Sequence, residues 1–224
     1  PAGQHTMDHL FTVDSLAELR NVMPGSAHSA FVLGHSHPGD GGGGMFHWNA
    51  SSSSPDDNGL VVAHRGTKTG RWTRVDPGPL DIRWFGADST RDATGAIQAA
   101  LSAVFRGGEV RIPAGVFHVS QPLEIPQGVH LVGTGLLSEL HYSGPARTGC
   151  LQVAGPPKSI SLAISRLNIL VLKKGAFGID LRGMSYSRFD HITIHLRQPG
   201  TSGFFGPGNT QSPYYNVFTA CHVA

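Results

Sequence analysis

The feature that most restricts this chain is an apolar spacing that recurs toward its end. Ile164-x-x-Leu167-x-Ile169, Phe189-x-x-Ile192-x-Ile194 and Phe218-x-x-Cys221-x-Val223 repeat one pattern at displacements of 25 and 29 positions. A unit of that length cannot close a core by itself, so copies have to stack on one another. Short β-type runs between turns fill each unit, which predicts a parallel β-helix with inward side chains set above those of the coil before. The last copy ends one residue before Ala224. A solenoid cut there would leave an unpaired edge, so the chain is expected to be a portion of something longer.

Upstream runs fit the same plan. Val110–Ile112, Val116–Val119, Leu123–Ile125 and Val129–Val132 read as strands, with turns at Pro113-Ala114-Gly115 and Pro126-Gln127-Gly128. Ahead of them Ile97, Ala100, Leu101 and Val104 fall at i, i+3, i+4 and i+7. That spacing predicts one amphipathic helix from Asp92 to Phe105, started by Asp92 or Thr94 and stopped at Gly107-Gly108. Strands alone are expected after it.

The first part of the chain has a different character. Ser15-Leu16-Ala17-Glu18 has capping-box spacing, and Leu16, Leu19 and Met23 share a helical face that Pro24-Gly25 ends. Strands are predicted at 30–33, 45–48, 60–63 and 71–74. Between the first two runs His35-Ser36-His37-Pro38-Gly39-Asp40 leads into Gly41-Gly42-Gly43-Gly44. Four consecutive glycines suit a loop shaped by its main chain, expected to pack beneath Trp48 or Trp72. The predicted organisation is a flexible arm over 1–10, a small α+β head over 11–76, a linker at 77–80 and the opening coils of the β-helix over 81–224.

Composition excludes several roles. Charged residues are 14% and the formal net charge is +2, too weak a footprint for nucleic acid or an anionic membrane surface. No apolar run approaches the ~20 residues that span a bilayer, so no membrane insertion is expected. Cys150 and Cys221, 71 positions apart, read as reduced core thiols.

Candidate chemistry is sparse. Gly39-x-Gly41-x-x-Gly44 satisfies a dinucleotide fingerprint in form, but an aromatic strand follows where phosphate binding needs a helix N-terminus. His35, His37 and His47 alternate as metal ligands can, yet no Cys or second carboxylate completes a set. No cofactor and no metal are therefore expected. Glycoside hydrolysis needs paired carboxylates. In the coils the polar candidates are Asp180, Arg182, Arg188, Asp190 and His191, and Asp180 and Asp190 are the acidic pair to test for catalysis.

Trp84-Phe85-Gly86-Ala87-Asp88 through Thr94-Gly95-Ala96-Ile97-Gln98-Ala99-Ala100-Leu101 resembles the start of the pectate-lyase-like right-handed β-helix family of phage tailspikes and bacterial polysaccharide enzymes. That family reads F-G-A-K-G-D-G-V-T-D-D-T-A-A-I-Q-A-A-L, then G-G-x-V-x-x-P-x-G-x-Y and L-x-G. Here Gly107-Gly108-Glu109-Val110-Arg111-Ile112-Pro113-Ala114-Gly115-Val116-Phe117 and Leu131-Val132-Gly133 follow in order. The chain lacks the K-G pair before Asp88 and has Ser89 and Ala93 in place of Gly and Asp. Gly39-Asp40-Gly41-Gly42-Gly43-Gly44-Met45-Phe46-His47-Trp48 with Gly70-Arg71-Trp72 is similar to a module that often precedes such β-helices. Together the resemblances cover roughly residues 10 to 142.

The resemblance implies a mainly β protein whose helix covers the mouth of the solenoid. It implies a homotrimer at the virion tail, attached to a phage tail or baseplate protein through the head and recognising bacterial surface polysaccharide. Any depolymerase activity would then need residues beyond this segment. Two other readings stay open: a secreted bacterial polysaccharide lyase or glycoside hydrolase, and a non-catalytic structural fibre protein.

Overall fold

The structure is a computed structural model that describes residues 10–23, 28–75, 78–104, 107–153, 160–206 and 215–224. Residues 1–9 of the proposed arm over 1–10, together with Pro24-Gly25, Pro77 and Phe105, lie outside the described residues. Contacts divide the chain into two units, residues 1–78 with 83–86, and residues 79–82 with 87–224. Among the described residues no helix is long and apolar enough to cross a membrane.

In the first unit β1 (Phe11–Val13), α1 (Leu16–Leu19), β2 (Ser29–Val32), β3 (Gly44–Asn49), β4 (Val61–Ala63) and β5 (Arg71–Arg74) form one sheet in the order β1-β2-β3-β5-β4, with α1 beside it. β1 and β2 run parallel and the other pairs antiparallel. Period-two alternation turns Ala30, Val32, Phe46, Trp48, Val62 and Trp72 to one face, where Leu16 and Leu19 cover them. Ser15 Oγ accepts the Glu18 N–H at 3.3 Å, whereas the Glu18 carboxylate accepts from Asp14 N–H at 3.0 Å, one residue earlier than a capping box requires. Because α1 stops at Leu19, Met23 leaves the helical face and is exposed.

The Gly-rich loop is closed by Asp40. Its carboxylate accepts the N–H groups of His35, Ser36, His37 and Gly42 at 2.7–3.1 Å. Burial works to raise the pKa of Asp40, and these four amides outweigh it and lower the value. The loop does not lie beneath the tryptophans. Trp48 and Trp72 are register partners whose rings meet each other at 5.4 Å. The glycines instead pass close to backbone: a Cβ on Gly42 would stand 2.6 Å from the Arg83 carbonyl oxygen, and one on Gly43 2.5 Å from that of Val32. Gly41 and Gly44 have positive φ; Gly42 and Gly43 do not, so space rather than φ demands glycine there.

Arg74 is buried against the same loop. Its guanidinium donates to the carbonyl oxygens of Gly43 at 2.7 Å, Gly42 at 2.9 Å and Gly59 at 3.2 Å, between the rings of Phe46 and Trp84. A planar donor fork satisfies carbonyls that a tight loop cannot pair internally.

The second unit is the solenoid. After β6 (Leu80–Asp81) comes α2 (Thr94–Ala103). Then follow β7 (Gly108–Arg111), β8 (Gly115–Val119), β9 (Leu123–Ile125), β10 (Val129–Val132), β11 (Ser138–Tyr142) and β12 (Gly149–Val153). The later coils are β13 (Ala163–Val171), β14 (Phe177–Asp180), β15 (Arg188–Leu196), β16 (Ser202–Phe205), β17 (Val217–Thr219) and β18 (His222–Val223). Every pairing in this unit is parallel. Leu80, Val110, Leu131, Ile164, Phe189 and Phe218 form one continuous stack. Phe117, Leu140, Ile169, Ile194 and Val223 form a second, and Leu123, Leu151, Ile179 and Phe204 a third. About four turns are present, more than the three copies of the sequence pattern.

The extra x in that pattern has a structural cause. Strict alternation would place inward residues two apart, but Ile164 and Leu167 are three apart and both buried. Arg166 between them has φ 53° and turns the chain from one inward face to the next. His191 and Ala220 repeat the bend at φ 51° and 49°. On the preceding coil the same corner is wider and contains a 3-10 turn, Gly135–Leu137, where only strands were expected.

α2 is shorter than predicted, and its N-cap Ala93 has no capping side chain. Asp92 substitutes from outside, accepting the Thr94 N–H at 3.0 Å and the Ser120 hydroxyl. Ile97, Ala100 and Leu101 are buried, and the Gln98 amide donates to Glu124 O at 3.1 Å and accepts from Glu124 N–H at 2.9 Å, tying α2 to β9. Asp88 closes the preceding turn. The hydrogen bond from the Thr90 hydroxyl outweighs its burial and, with the Thr90 N–H and Arg91, holds its pKa down at about 2.

Two outcomes follow. Replacing Gly42 and Gly43 together with Val is expected to cost the head at least about 2 kcal/mol, since each new side chain meets backbone; a lowered head transition in a thermal melt checks this. At the bend, His191→Gly should stabilise the solenoid by about 1 kcal/mol in urea denaturation and His191→Val destabilise it, because left-handed backbone is costly for a branched residue.

Candidate functional site

The outward face of the solenoid beside the bend carries a groove of about 920 Å³. Outward residues of one register row line it: Asp81 beside Arg111, then Val132, Ser165 and Asp190. Glu109, two positions before Arg111, belongs to the adjacent row, where it stands beside His130. The bend residues Arg166 and His191 form the rim. A continuous inward stack fixes which side chains point out, so one register places all of these groups.

Charge in the groove is mixed. Arg111 Nε donates to Glu109 Oε1 at 2.7 Å, and His191 Nδ1 lies 3.1 Å from Asp190 Oδ2. Arg166 is exposed. Carboxylates, guanidinium groups and imidazole along one open cleft can hydrogen-bond sugar hydroxyls in either sense, and the arginines can meet an anionic sugar. Glu109 and Asp190 are three strands apart, about 14 Å between backbones at ~4.8 Å per strand.

The two predicted acidic candidates part company. Asp190 lines the groove. Asp180 is buried at the end of β14 in another sheet, where it accepts Arg182 N–H at 3.0 Å and Arg182 Nε at 2.9 Å. It closes a turn. Arg188 opens β15 in the row of Glu109 and does not line the groove. Asp81, Glu109, Arg111, Ser165 and Arg166 were missed because they come from other coils. A signal existed: Arg111, Val132, Ser165 and Asp190 each follow an inward residue of the same stack.

The head histidines do not converge. His35 contacts Ser36 Oγ and Asn58, and His37 Nδ1 lies 3.3 Å from Pro38 O. Among the described residues no three His, Cys, Asp or Glu side chains gather as a metal site. Gly44 leads into β3 rather than a helix. Cys150 is buried and burial pushes its thiol pKa well up, whereas Cys221 is only partly buried.

Residues 12–77 match the family model of the phage tail protein small four-stranded β-sheet domain. Comparison with curated proteins gave no match. Solved structures share the fold across nearly the whole chain. The tailspike gp49 of Acinetobacter baumannii bacteriophage Fri1, a capsular polysaccharide depolymerase, aligns with TM-score 0.64 and 16% identity over 95% of this chain and 53% of that one. The tailspike of Acinetobacter phage vB_ApiP_P1 aligns with TM-score 0.68 and 18% identity over 94% and 44%. Pantoea stewartii WceF, a glycan biofilm modifying enzyme with a tailspike-like parallel β-helix fold, aligns with TM-score 0.60 and 17% identity over 94% and 38%. At these identities the likeness is one of fold, and the chain spans about half or less of each relative. Its fold is the one these structures share: a small β-sheet head, matched over residues 12–77 by the phage-tail domain model, followed in sequence by a parallel β-solenoid.

Asp180→Asn is expected to lower stability by about 1–3 kcal/mol, because a buried acceptor of a charged donor is weakened while Arg182 stays partly solvated. Urea denaturation checks this, with ligand binding by the groove unchanged.

Proposed function

We propose that this chain serves in a phage tailspike, with the head attached to a tail or baseplate protein and the solenoid presenting its groove to bacterial surface polysaccharide. The observation that carries the reading is the phage-tail domain match over residues 12–77 joined to a tailspike-type solenoid. The proposal includes a homotrimer and a location at the virion tail. It assigns depolymerisation, the activity named for the Fri1 tailspike, to the whole protein and not to the separated pair Asp180 and Asp190.

The likeness to the Pantoea enzyme favours a second reading, a secreted polysaccharide-modifying protein. Mass spectrometry of purified virions separates the two, since only the first places this chain in the particle. In solution, light scattering should return three times the chain mass, and a monomer at micromolar concentration would remove the trimer. Arg166→Ala and Asp190→Asn should each weaken binding to capsular or O-antigen polysaccharide about tenfold without moving the melting temperature, because each removes a charged hydrogen-bonding group from the groove.

A further inference from the structure

Three side chains on successive coils stand in an order that the polysaccharide reading does not use. Glu109 on β7 and His130 on β10 are direct register partners, and Ser165 lies diagonally beyond on β13. His130 Nε2 is 2.8 Å from Ser165 Oγ, and His130 Nδ1 is 3.6 Å from Glu109 Oε2. The imidazole therefore has a hydroxyl at one ring nitrogen and a carboxylate at the other, the order in which a serine is activated as a nucleophile. Arg111 binds the other Glu109 oxygen, Oε1, at 2.7 Å, which turns Oε2 toward the ring.

A serine–histidine hydrogen bond between strands is by itself only a cross-strand pair. Two further observations give this one access to a ligand. Ser165 and Glu109 both line the groove, Ser165 as a largely buried residue of its wall, so a ligand in that space meets the serine and the carboxylate together. The chain bends at Arg166 directly after the serine, with φ 53°, and that residue also lines the groove. A guanidinium beside the serine can receive negative charge that develops on an acyl oxygen.

We propose that Ser165, His130 and Glu109 form an acyl-transfer site that removes ester-linked acyl groups from a ligand in the groove. Ser165 Oγ attacks the ester carbonyl while His130 Nε2 accepts the hydroxyl proton. The bond from the acyl carbon to the ligand oxygen then breaks, and His130 returns the proton to that oxygen. Water repeats the sequence on the acyl-serine: His130 takes its proton, the carboxylic acid leaves, and the serine regains its hydrogen. Glu109 touches no reacting atom and acts as a positioning residue that holds the imidazole with Nδ1–H toward it. That the acyl group is carried by a saccharide rests on the reading above, whereas the serine chemistry rests on the geometry alone.

The test begins with the unaltered full chain. A fluorophosphonate probe, followed by peptide mass spectrometry, should place one phosphonyl group on Ser165. Hydrolysis of p-nitrophenyl acetate should fall at least about a hundredfold in kcat for Ser165→Ala and His130→Gln, both checked for an unchanged thermal melt. Glu109→Gln should lower kcat about tenfold with KM unchanged, and Glu109→Asp should recover part of it, a split that loss of structure would not give. An unlabelled Ser165 in the folded chain, or aryl-ester hydrolysis that survives Ser165→Ala, overturns the site whatever the variants' stability. Acetate release is then compared between O-acetylated capsular polysaccharide and the same material after alkaline de-O-acetylation. Release from the first alone supports the saccharide ester. Labelling and aryl-ester turnover without release overturns that substrate while leaving the serine site standing.

Discussion

Register in the parallel ladder is the constraint on which the rest of the solenoid depends. Each strand's inward side chain is covered by its counterpart on the next coil and by the inward faces opposite, so Leu131, Ile164 and Phe189 are buried because they coincide along the axis. A slip of one position would turn that whole row into solvent and bring Val132, Ser165 and Asp190 inside. Each such apolar side chain contributes about 1.5–3 kcal/mol by burial, and a buried, unpaired Asp190 would cost several kcal/mol more. The same register that fills the core therefore lines up Arg111, Ser165 and Asp190 outside it. Core and groove are two faces of one alignment.

The head solves a different problem. Its sheet buries Trp48, Trp72 and Phe46 on one face, but the loop between β2 and β3 passes too near backbone to carry side chains at Gly42 and Gly43. A loop so bare has carbonyl and amide groups and little else to hold it. Two side chains supply the missing bonds from opposite charge states: the Asp40 carboxylate gathers the amides and the Arg74 guanidinium gathers the carbonyls. Its rigidity comes from two ionised groups, so the sequence signature of the module is an Asp among glycines and an Arg that follows a Trp two positions later.

Much of the fold was legible because it is written in local periods. The three apolar copies gave the stacking, and Ile97, Ala100 and Leu101 gave the helix face. What the pattern could not disclose was the meaning of its double spacer, since left-handed backbone at Arg166, His191 and Ala220 has no residue signature when none of them is glycine. Met23 was misplaced because helical spacing says nothing of where a helix ends. The groove was barely legible. Asp190 was singled out, but its neighbours Glu109, Arg111 and Ser165 belong to coils 25 or more positions away and meet it only through the ladder. Asp180 looked equivalent to Asp190 in sequence, yet a turn-closing bond to Arg182 gave it a different task.

The bends also decide where the solenoid can change length. At Arg166, His191 and Ala220 one left-handed residue makes the turn between two inward faces, whereas on the preceding coil the same corner takes four more residues, from Leu131 to Leu140 against Ile164 to Ile169, and still returns to register. Another corner is permissive: nine positions lead from Asp180 to Phe189, and thirteen from Phe205 to Phe218, yet both coils return to the same register. Four residues were accommodated without disturbing the stack. Tyr186 and Tyr215, exposed and stacked on each other with ring centroids 5.2 Å apart, lie within those two connections. Connections of unequal length can thus rejoin one ladder at more than one edge of the solenoid, so its girth can grow coil by coil while the apolar stacks stay in line.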